Sequence, residues 1–413
     1  MAKLSPDFGK LFGAASVSNL GDGIMVAALP LLVAELTRDP LAVAGSTIAA
    51  TLPWFLLALL AGAVADRVNR RTAMVSADVL RATVVAALAT AVLTDSLNLP
   101  IIYIAAFAIG SAETLFDSAA EAFLPSLVSD GELSLANGRL QGVEWATNSF
   151  VGPPIGAVLF GAAAAVPFYA NAASFLAAAV LIGMIPRHHG TPQYATTESV
   201  RTSMAEGIRF LLDSRVLRTL SFMAGVTNIF LMAVVATFVL FAQDILEVMD
   251  AGYGVMLGAL GLGGLAGALL APQVSRALGP GTTIQAIVLL QTLLIVLFGL
   301  NSNKWVAGGI LLTWGSLVTA WNVIAVTLRQ SLTPDRLRGR VSSASRLIAW
   351  GAQPFGALLG GALASWLGLR APYLFAGAAW AAMFALTFPI VNNKTVAAAR
   401  EGANAPSEVG SSQ

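Results

Sequence analysis

The sequence contains no cysteine, which excludes disulfides and thiolate metal sites. Its two histidines, His188 and His189, are adjacent in a polar loop; they make a poor pair of metal ligands and read as solvated residues. Charge is scarce as well. Asp, Glu, Lys and Arg supply 11% of the 413 residues, against about 25% in a soluble domain, too few to cover a water-facing surface. No glycine-rich nucleotide loop ending in Lys and Ser/Thr is present, nor a cluster of histidines, nor a polar domain. These absences argue against an enzyme, and no cofactor, metal or nucleic-acid partner is expected.

What is abundant is apolar. Hydrophobic residues make up 57% of the chain and glycine contributes 39 positions, a composition suited to helices packed closely in lipid. A spanning helix needs roughly 20 mainly apolar residues. Twelve such stretches can be drawn, near 10–35, 43–65, 72–94, 99–123, 139–163, 167–186, 219–243, 253–272, 281–300, 305–329, 340–363 and 371–391. Residues Met1 to Lys10 are polar, and the apolar run after them is too long for a signal-peptide core, so it reads as the first span. The expected fold is an all-α membrane protein of twelve transmembrane helices in two pseudo-symmetric six-helix bundles. The expected units are an N-terminal bundle over 1–186, a linker over 187–218, a C-terminal bundle over 219–393 and a disordered tail over 394–413. Within the linker, Ser203 to Leu212 has helical spacing and is expected to lie on the membrane surface.

Lysine and arginine accumulate in cytoplasmic loops. With the N-terminus inside, eighteen of the 23 basic residues fall in inside segments and only Arg38, Lys304 and Arg370 outside, with Arg81 and Arg346 inside spans. Both termini are therefore expected in the cytoplasm of a bacterium, with the chain in its inner membrane. The two halves also repeat: Pro154 to Ala162 and Pro354 to Ala362 agree at six of nine positions, at an offset of 200, each on the fifth span of its half. Paired six-span repeats place a substrate site near the bilayer midplane between them.

Ionisable side chains inside spans are costly and mark function unless paired. Asp22 lies mid-span between glycines. A carboxyl group with little water around it favours its neutral form, as a site that takes up and releases protons requires. Glu113, Asp117 and Glu121 follow one another at four-residue intervals and share a helix face. Three like charges there cannot all ionise cheaply, so Glu113 and Asp117 join Asp22 as candidate proton-coupling residues. Asp78 and Arg81, three apart, form an expected internal ion pair, and Arg139 or Arg81 is expected to neutralise Glu144. Aromatic and amide side chains within spans suit a cavity for flat apolar molecules. The candidates are Trp145, Glu144, Asn148, Trp321, Asn322, Trp350 and Gln353. The acids cluster in the first half, which suits a neutral or cationic amphipathic substrate.

Three motifs carry a family resemblance. Gly62, Asp66, Arg67, Arg70 and Arg71, in the loop after the second span, resemble the signature of the major facilitator superfamily, with Asn69 where glycine is usual. Gly62 permits close helix approach, and Asp66 can meet the positive N-terminal end of a facing helix, a latch between the bundles. Gly152, Pro153 and Gly156 in the fifth span are similar to the superfamily's antiporter motif, with Asn148 and Ala157 in place of glycines. Asn19 to Gly23, Leu124 to Asn137 and Leu332 to Val341 look like the enterobactin-exporter and macrolide-efflux branch. The resemblance implies a monomeric, proton-driven antiporter in the lipid bilayer that exports small hydrophobic or amphipathic molecules of the multidrug type. A siderophore or lipid exporter of the same fold remains the alternative, and a membrane enzyme or a channel the alternatives of another class.

Overall fold

The computed structural model describes residues 4–190, 200–334 and 337–404. Twelve membrane-crossing elements follow in order: α1 Pro6–Leu36, α2 Pro40–Ala65, α3 Arg70–Leu93, α4 Leu99–Phe123, then α5 in three pieces, Leu133–Glu144, Trp145–Val151 and Gly152–Ala162. After α6 Val166–Gly183 comes α7, made of Arg215–Val235, Phe238–Leu240 and Phe241–Ile245. The last five are α8 Asp250–Leu278, α9 Pro280–Leu300, α10 Lys304–Ser331, α11 Arg338–Gly351 with Gln353–Leu367, and α12 Ala371–Thr387. Among the described residues, ten runs are long and apolar enough to cross a membrane. The other two crossings are α5, interrupted midway, and α12, 17 residues long, still sufficient for a thin hydrocarbon core.

Local chemistry sets the ends. Side chains of Ser5, Asp39, Asn69, Asn98, Ser214 and Asn303 accept hydrogen bonds from backbone N–H groups of the turns they precede, satisfying donors that a helix start leaves open. Pro6, Pro40 and Pro280 begin their helices, where a missing N–H costs nothing. Gly279 and Gly368 turn the chain between α8 and α9 and between α11 and α12 at φ 79° and 89°, a region that side chains disfavour.

The interruption in α5 has a local cause. Pro153 and Pro154 cannot donate to the carbonyls of Ser149 and Phe150, so the ladder widens ahead of them, and the Gly152 N–H reaches Thr147 O. Such wide turns concentrate at functional positions.

Each packing partnership in the first half has a counterpart six spans later: α2 on α4 and α8 on α10, α3 on α6 and α9 on α12, α1 on α5 and α7 on α11. Gly156 shows the repeat at atomic scale. A Cβ there would lie 2.9 Å from Ile24 Cα, and one at Gly356 would lie 2.9 Å from Ile229 Cα. The halves meet through α2 on α11 and α5 on α8, again a related pair.

We call the face bearing the 66–69, 124–132, 187–190 and 200–214 segments the basic face. At the opposite face the halves are bolted together. Arg38 Nη1 donates to Gln243 Oε1 at 2.6 Å and approaches Asp244 Oδ1 at 3.4 Å, while Ser365 Oγ donates to Asp39 Oδ1 at 3.2 Å. Gly361 lets α11 reach Leu41, where a Cβ would sit 3.1 Å from its Cα. Midway, Trp54 and Trp350 pack edge to face with centroids 4.8 Å apart, as do Phe55 and Phe355 at 5.4 Å. Beyond Phe55 toward the basic face, α2 makes no hydrogen bond, ion pair or ring contact with the second half among the described residues. Trp305 and Trp366, both 81% exposed, sit at span ends on the opposite face, as an interfacial belt requires.

Several boundaries differ from those the sequence suggested. α5 begins at Leu133, ahead of 139, because the stretch through Asn137 and Gly138 joins the helix. Ser214 caps α7 at Arg215, so the end of the expected linker belongs to a span. The linker helix, Val200–Asp213, packs on the start of α11: Glu206 pairs with Arg340, and a Cβ on Gly207 would meet the Arg340 carbonyl carbon at 2.7 Å. Residues 394–404, expected in the disordered tail, are helical from Asn393. There Asn393 Nδ2 donates to Leu278 O at 2.7 Å and Thr282 Oγ1 at 2.9 Å, pinning the segment to the α8–α9 turn. The rest of the tail, Asp335 and Arg336 of the third motif, and the Arg346 side chain lie outside the described residues. His188 is exposed and His189 partly so; the latter also docks on the first half, its Nδ1 2.9 Å from Ser126 O and its Nε2 3.5 Å from Asp7 Oδ2.

Candidate functional site

Asp22 owes its position to the glycines beside it. A Cβ at Gly21 would fall 3.0 Å from Ser174 Cβ on α6, and one at Gly23 would fall 2.8 Å from Asn148 Cα on α5. Only hydrogen at these two positions lets α1 pass that close to both helices, and the crossing fixes the carboxylate between them. Arg81 of α3 reaches Asp22 with Nη1 at 3.9 Å and Asp78 with Nη2 at 2.5 Å. Its guanidinium carbon lies 4.6 Å from the Phe116 ring centre and 4.4 Å from that of Phe175. Planar guanidinium groups stack well on aromatic faces. The arginine is 2% exposed and Asp78 fully buried, whereas Asp22 keeps 23%. The cluster therefore keeps some exposure at its Asp22 end only.

The expected Asp78–Arg81 pair is present; its extension to Asp22 was not foreseen. Glu113 and Asp117 stand within electrostatic range of Arg81. Glu113 is half-buried and Asp117 exposed, so the acids that face Arg81 outnumber it. Glu144 is exposed and pairs with neither Arg81, which Asp78 holds, nor Arg139, itself exposed to solvent.

The expected substrate residues divide between two cavities. Trp145, Asn148 and Pro153 line one of about 330 Å³ between the halves, with walls from α1, α2, α5 and α7 to α10 and no Asp, Glu, Lys, Arg or His. Trp321, Asn322 and Trp350 line another of about 280 Å³ within the second half, together with Asn228, Gln291 and Arg329. Leu231 and Val318 border both, so the cavities adjoin. Glu144 and Gln353 line neither. Trp314 and Thr319, both buried, line the first cavity; as a tryptophan and a threonine within a long apolar run, they carried no signal that set them apart.

Gly152, Pro153 and Gly156 sit at a seam. Gly152 faces Gly23, where a Cβ would come within 2.6 Å of its Cα, and a Cβ on Gly254 of α8 would meet Pro153 O at 2.8 Å. This part of α5 is gripped by α1 on one side and by the second half on the other.

Around Gly62, by contrast, there is open space. Asp66 and Arg67 are exposed at the basic face. Arg70 Nη1 donates to Ala122 O at 2.9 Å, and Arg71 donates to Gly183 O, so both arginines fasten helix ends within the first half. The halves are apart at this face, and in this conformation Asp66 makes no contact across them among the described residues.

Comparison with known proteins agrees with this architecture. The chain is 28% identical over 374 residues to the multidrug efflux pump Tap of Mycolicibacterium fortuitum, covering 87% of this chain and 90% of that protein. It is 26% identical over 372 residues to the enterobactin exporter EntS of Escherichia coli, covering 89% and 86%. Among solved structures, the inward-facing state of a bacterial homologue of the iron transporter ferroportin superposes with a TM-score of 0.72 at 17% identity, over 95% of this chain and 98% of that one. The nucleoside transporter NupG superposes with a TM-score of 0.70 at 12% identity, over 94% and 99%; both matches speak to the fold alone. The profile of the transmembrane secretion effector family matches residues 4–408, and the chain belongs to that family of major facilitator transporters.

Proposed function

We propose that this protein is a proton-coupled antiporter that exports small hydrophobic or amphipathic molecules, with Asp22 as the coupling residue. What supports the reading is the Asp22–Arg81–Asp78 cluster, with one carboxylate partly exposed and the other two members buried. An ionised group in the bilayer is tolerated only when paired or neutral. With Arg81 committed at 2.5 Å to Asp78, Asp22 is free to gain and lose a proton. A proton on Asp22 leaves Arg81 to Asp78 alone; its departure restores a three-member cluster. Glu113 and Asp117 extend the site toward the basic face.

In this reading the basic face, with both termini, is cytoplasmic and the membrane is the bacterial inner membrane, as the distribution of lysine and arginine favours. The structure then represents the state open to the cytoplasm. The two six-helix bundles rock about the α2–α11 and α5–α8 contacts, and opening outward breaks the Arg38–Asp244 and Asp39–Ser365 contacts. Closure at the basic face would bring Asp66 to the second half as a latch. The protein works as a monomer, each chain holding a complete pathway. Export is supported by the names of the relatives, a multidrug pump and a siderophore exporter; the charge-free cavity favours the drug-like cargo over a large polar siderophore.

The test is transport into inverted membrane vesicles. Accumulation of a fluorescent drug should require a proton gradient and collapse with a protonophore, and Asp22→Asn should abolish it at unchanged protein level. Full, gradient-driven transport by Asp22→Asn overturns the reading.

A further inference from the structure

The bolt on the opposite face has a member that the charges around it obscure. Arg38 Nη1 lies 3.4 Å from Asp244 Oδ1 but 2.6 Å from Gln243 Oε1, and an N–H to oxygen bond ordinarily spans about 2.7–3.2 Å. The hydrogen bond that crosses between the halves here therefore ends on a neutral amide, with the carboxylate beside it as an outlying partner. The other end of that amide is engaged as well: Gln243 Nε2 donates to Asp250 Oδ1 at 3.1 Å. A guanidinium only donates and an ionised carboxylate only accepts. The amide thus fits one way round, oxygen to Arg38 and nitrogen to Asp250.

The backbone is irregular where it presents this side chain. Gln243 lies in the wide turn Phe241–Ile245 that ends α7, where the Leu246 N–H reaches Phe241 O, five residues back. Neighbours on a regular helix point about 100° apart, yet Gln243 and Asp244 both reach one arginine nitrogen. Glu247 follows at φ 51°, a left-handed backbone that side chains disfavour, and Asp250, the first residue of α8, returns to the side of Gln243. A wide turn and a strained residue converge on the two bonds of one amide.

The surrounding charges do not supply the joint. Glu35 and Asp39 flank Arg38 on the first half, and Asp244, Glu247 and Asp250 line the second; Asp250 stands within electrostatic range of Glu35. Two acidic edges repel one another, so closure here needs a directional contact. Asp250 itself makes no hydrogen bond or ion pair with the first half among the described residues.

We propose that Gln243 is the positioning residue of this gate: its amide ties Arg38 of the first half to Asp250 of the second and holds this face shut while the basic face is open. This rests on the rocking motion proposed above and names the link that the motion must break. Asp250 acts only through Gln243, and Asp244 is secondary.

The probe is Ser46→Cys, on the wall of the cavity between the halves in a chain with no other cysteine. The full chain, in sealed vesicles that present the Arg38 face, is labelled with a membrane-impermeant maleimide, with neither drug nor gradient. Labelling should be slow in the parent. Gln243→Met, which keeps the volume and loses both bonds, should speed it roughly three- to fivefold, and Asp244→Ala by less than about twofold. Gln243→Met combined with Arg38→Ala should be no faster than the faster single variant, since both cut one link; independent contacts would multiply. Gln243→Glu alone sets two carboxylates against each other and should speed labelling. Gln243→Glu together with Asp250→Asn exchanges amide for carboxylate, leaves one donor facing one acceptor at each junction, and should restore the slow rate. A side chain that merely fills space gives no such rescue.

If Gln243→Met fails to fold, as thermal unfolding would show, Gln243→Glu with and without Asp250→Asn decides. Fast labelling of the parent, an unchanged rate in Gln243→Met, an equal effect of Asp244→Ala, multiplied rates in the double variant, or an exchange without rescue overturns the proposal. Drug transport by Asp22→Asn can fail or persist without moving these rates, so failure here and failure of the antiport reading are distinguishable.

Discussion

Arg81 Nη1 stands 3.9 Å from Asp22 Oδ2, the arginine almost wholly buried and the carboxylate partly wet. The contact is long for an ion pair, whereas that between Arg81 and Asp78 is short. Asp22 is the member of the cluster that can leave without exposing an unpaired charge.

Asp22→Asn should therefore cost little stability while removing gradient-driven transport. The variant should match the wild type in yield and in the midpoint of thermal unfolding in detergent. Its drug accumulation in inverted vesicles should fall at least about tenfold, the size of effect expected when a required proton carrier is lost.

Arg81→Leu is expected to be far worse for the fold. It strands Asp78, buried and charged, and removing one partner of a buried pair costs about 3–5 kcal/mol. Thermal unfolding of the solubilised protein checks this, and Asp78→Asn on the Arg81→Leu background should recover much of the loss.

The opposite-face bolt makes a graded prediction. Arg38 and Asp244 are 57% and 42% exposed, and an exposed pair contributes about 0–1 kcal/mol. Arg38→Ala should then shift the balance toward outward opening by no more than about fivefold. The cysteine-free chain permits a clean assay: a single Ser46→Cys in the charge-free cavity, labelled with a membrane-impermeant maleimide. Labelling from the face of Arg38 should be slow in the parent and faster with Arg38→Ala.

Glycine substitutions should separate by surroundings. Gly156→Ala places a methyl 2.9 Å from Ile24 Cα, so helices must part and the unfolding midpoint should drop. Gly62 faces open space, and Gly62→Ala should leave the midpoint unchanged. Comparable loss in both would show that helix propensity, not packing, governs these sites.

The span count and the two related halves were legible because lipid imposes length and hydropathy on every crossing, and because Pro154 to Ala162 repeats as Pro354 to Ala362. The isolation of Asp22 between glycines was legible too, as was the Asp78–Arg81 pair at helical spacing. What sequence could not show was how α1 and α3 approach one another. Arg81 reaches Asp22 through tertiary packing, with no regular spacing to announce it. Arg38, just past the end of α1, and Asp244, in the last piece of α7, lie 206 positions apart. Glu144 and Gln353 reach neither cavity, and the wide turn Trp145–Val151 and the break at Ala352 are irregularities of the helix that regular spacing does not announce.

That wide turn has a mechanical consequence. Gly23, the residue after Asp22, rests against the backbone of Asn148 inside the turn, and the segment immediately beyond touches the second half at Gly254. In the proposed cycle, a change of charge on Asp22 would be felt at the joint where one half of the molecule bears on the other. On that reading no relay of side chains across tens of ångströms is needed: the proposed trigger and the residue that touches the joint are separated by a single peptide unit.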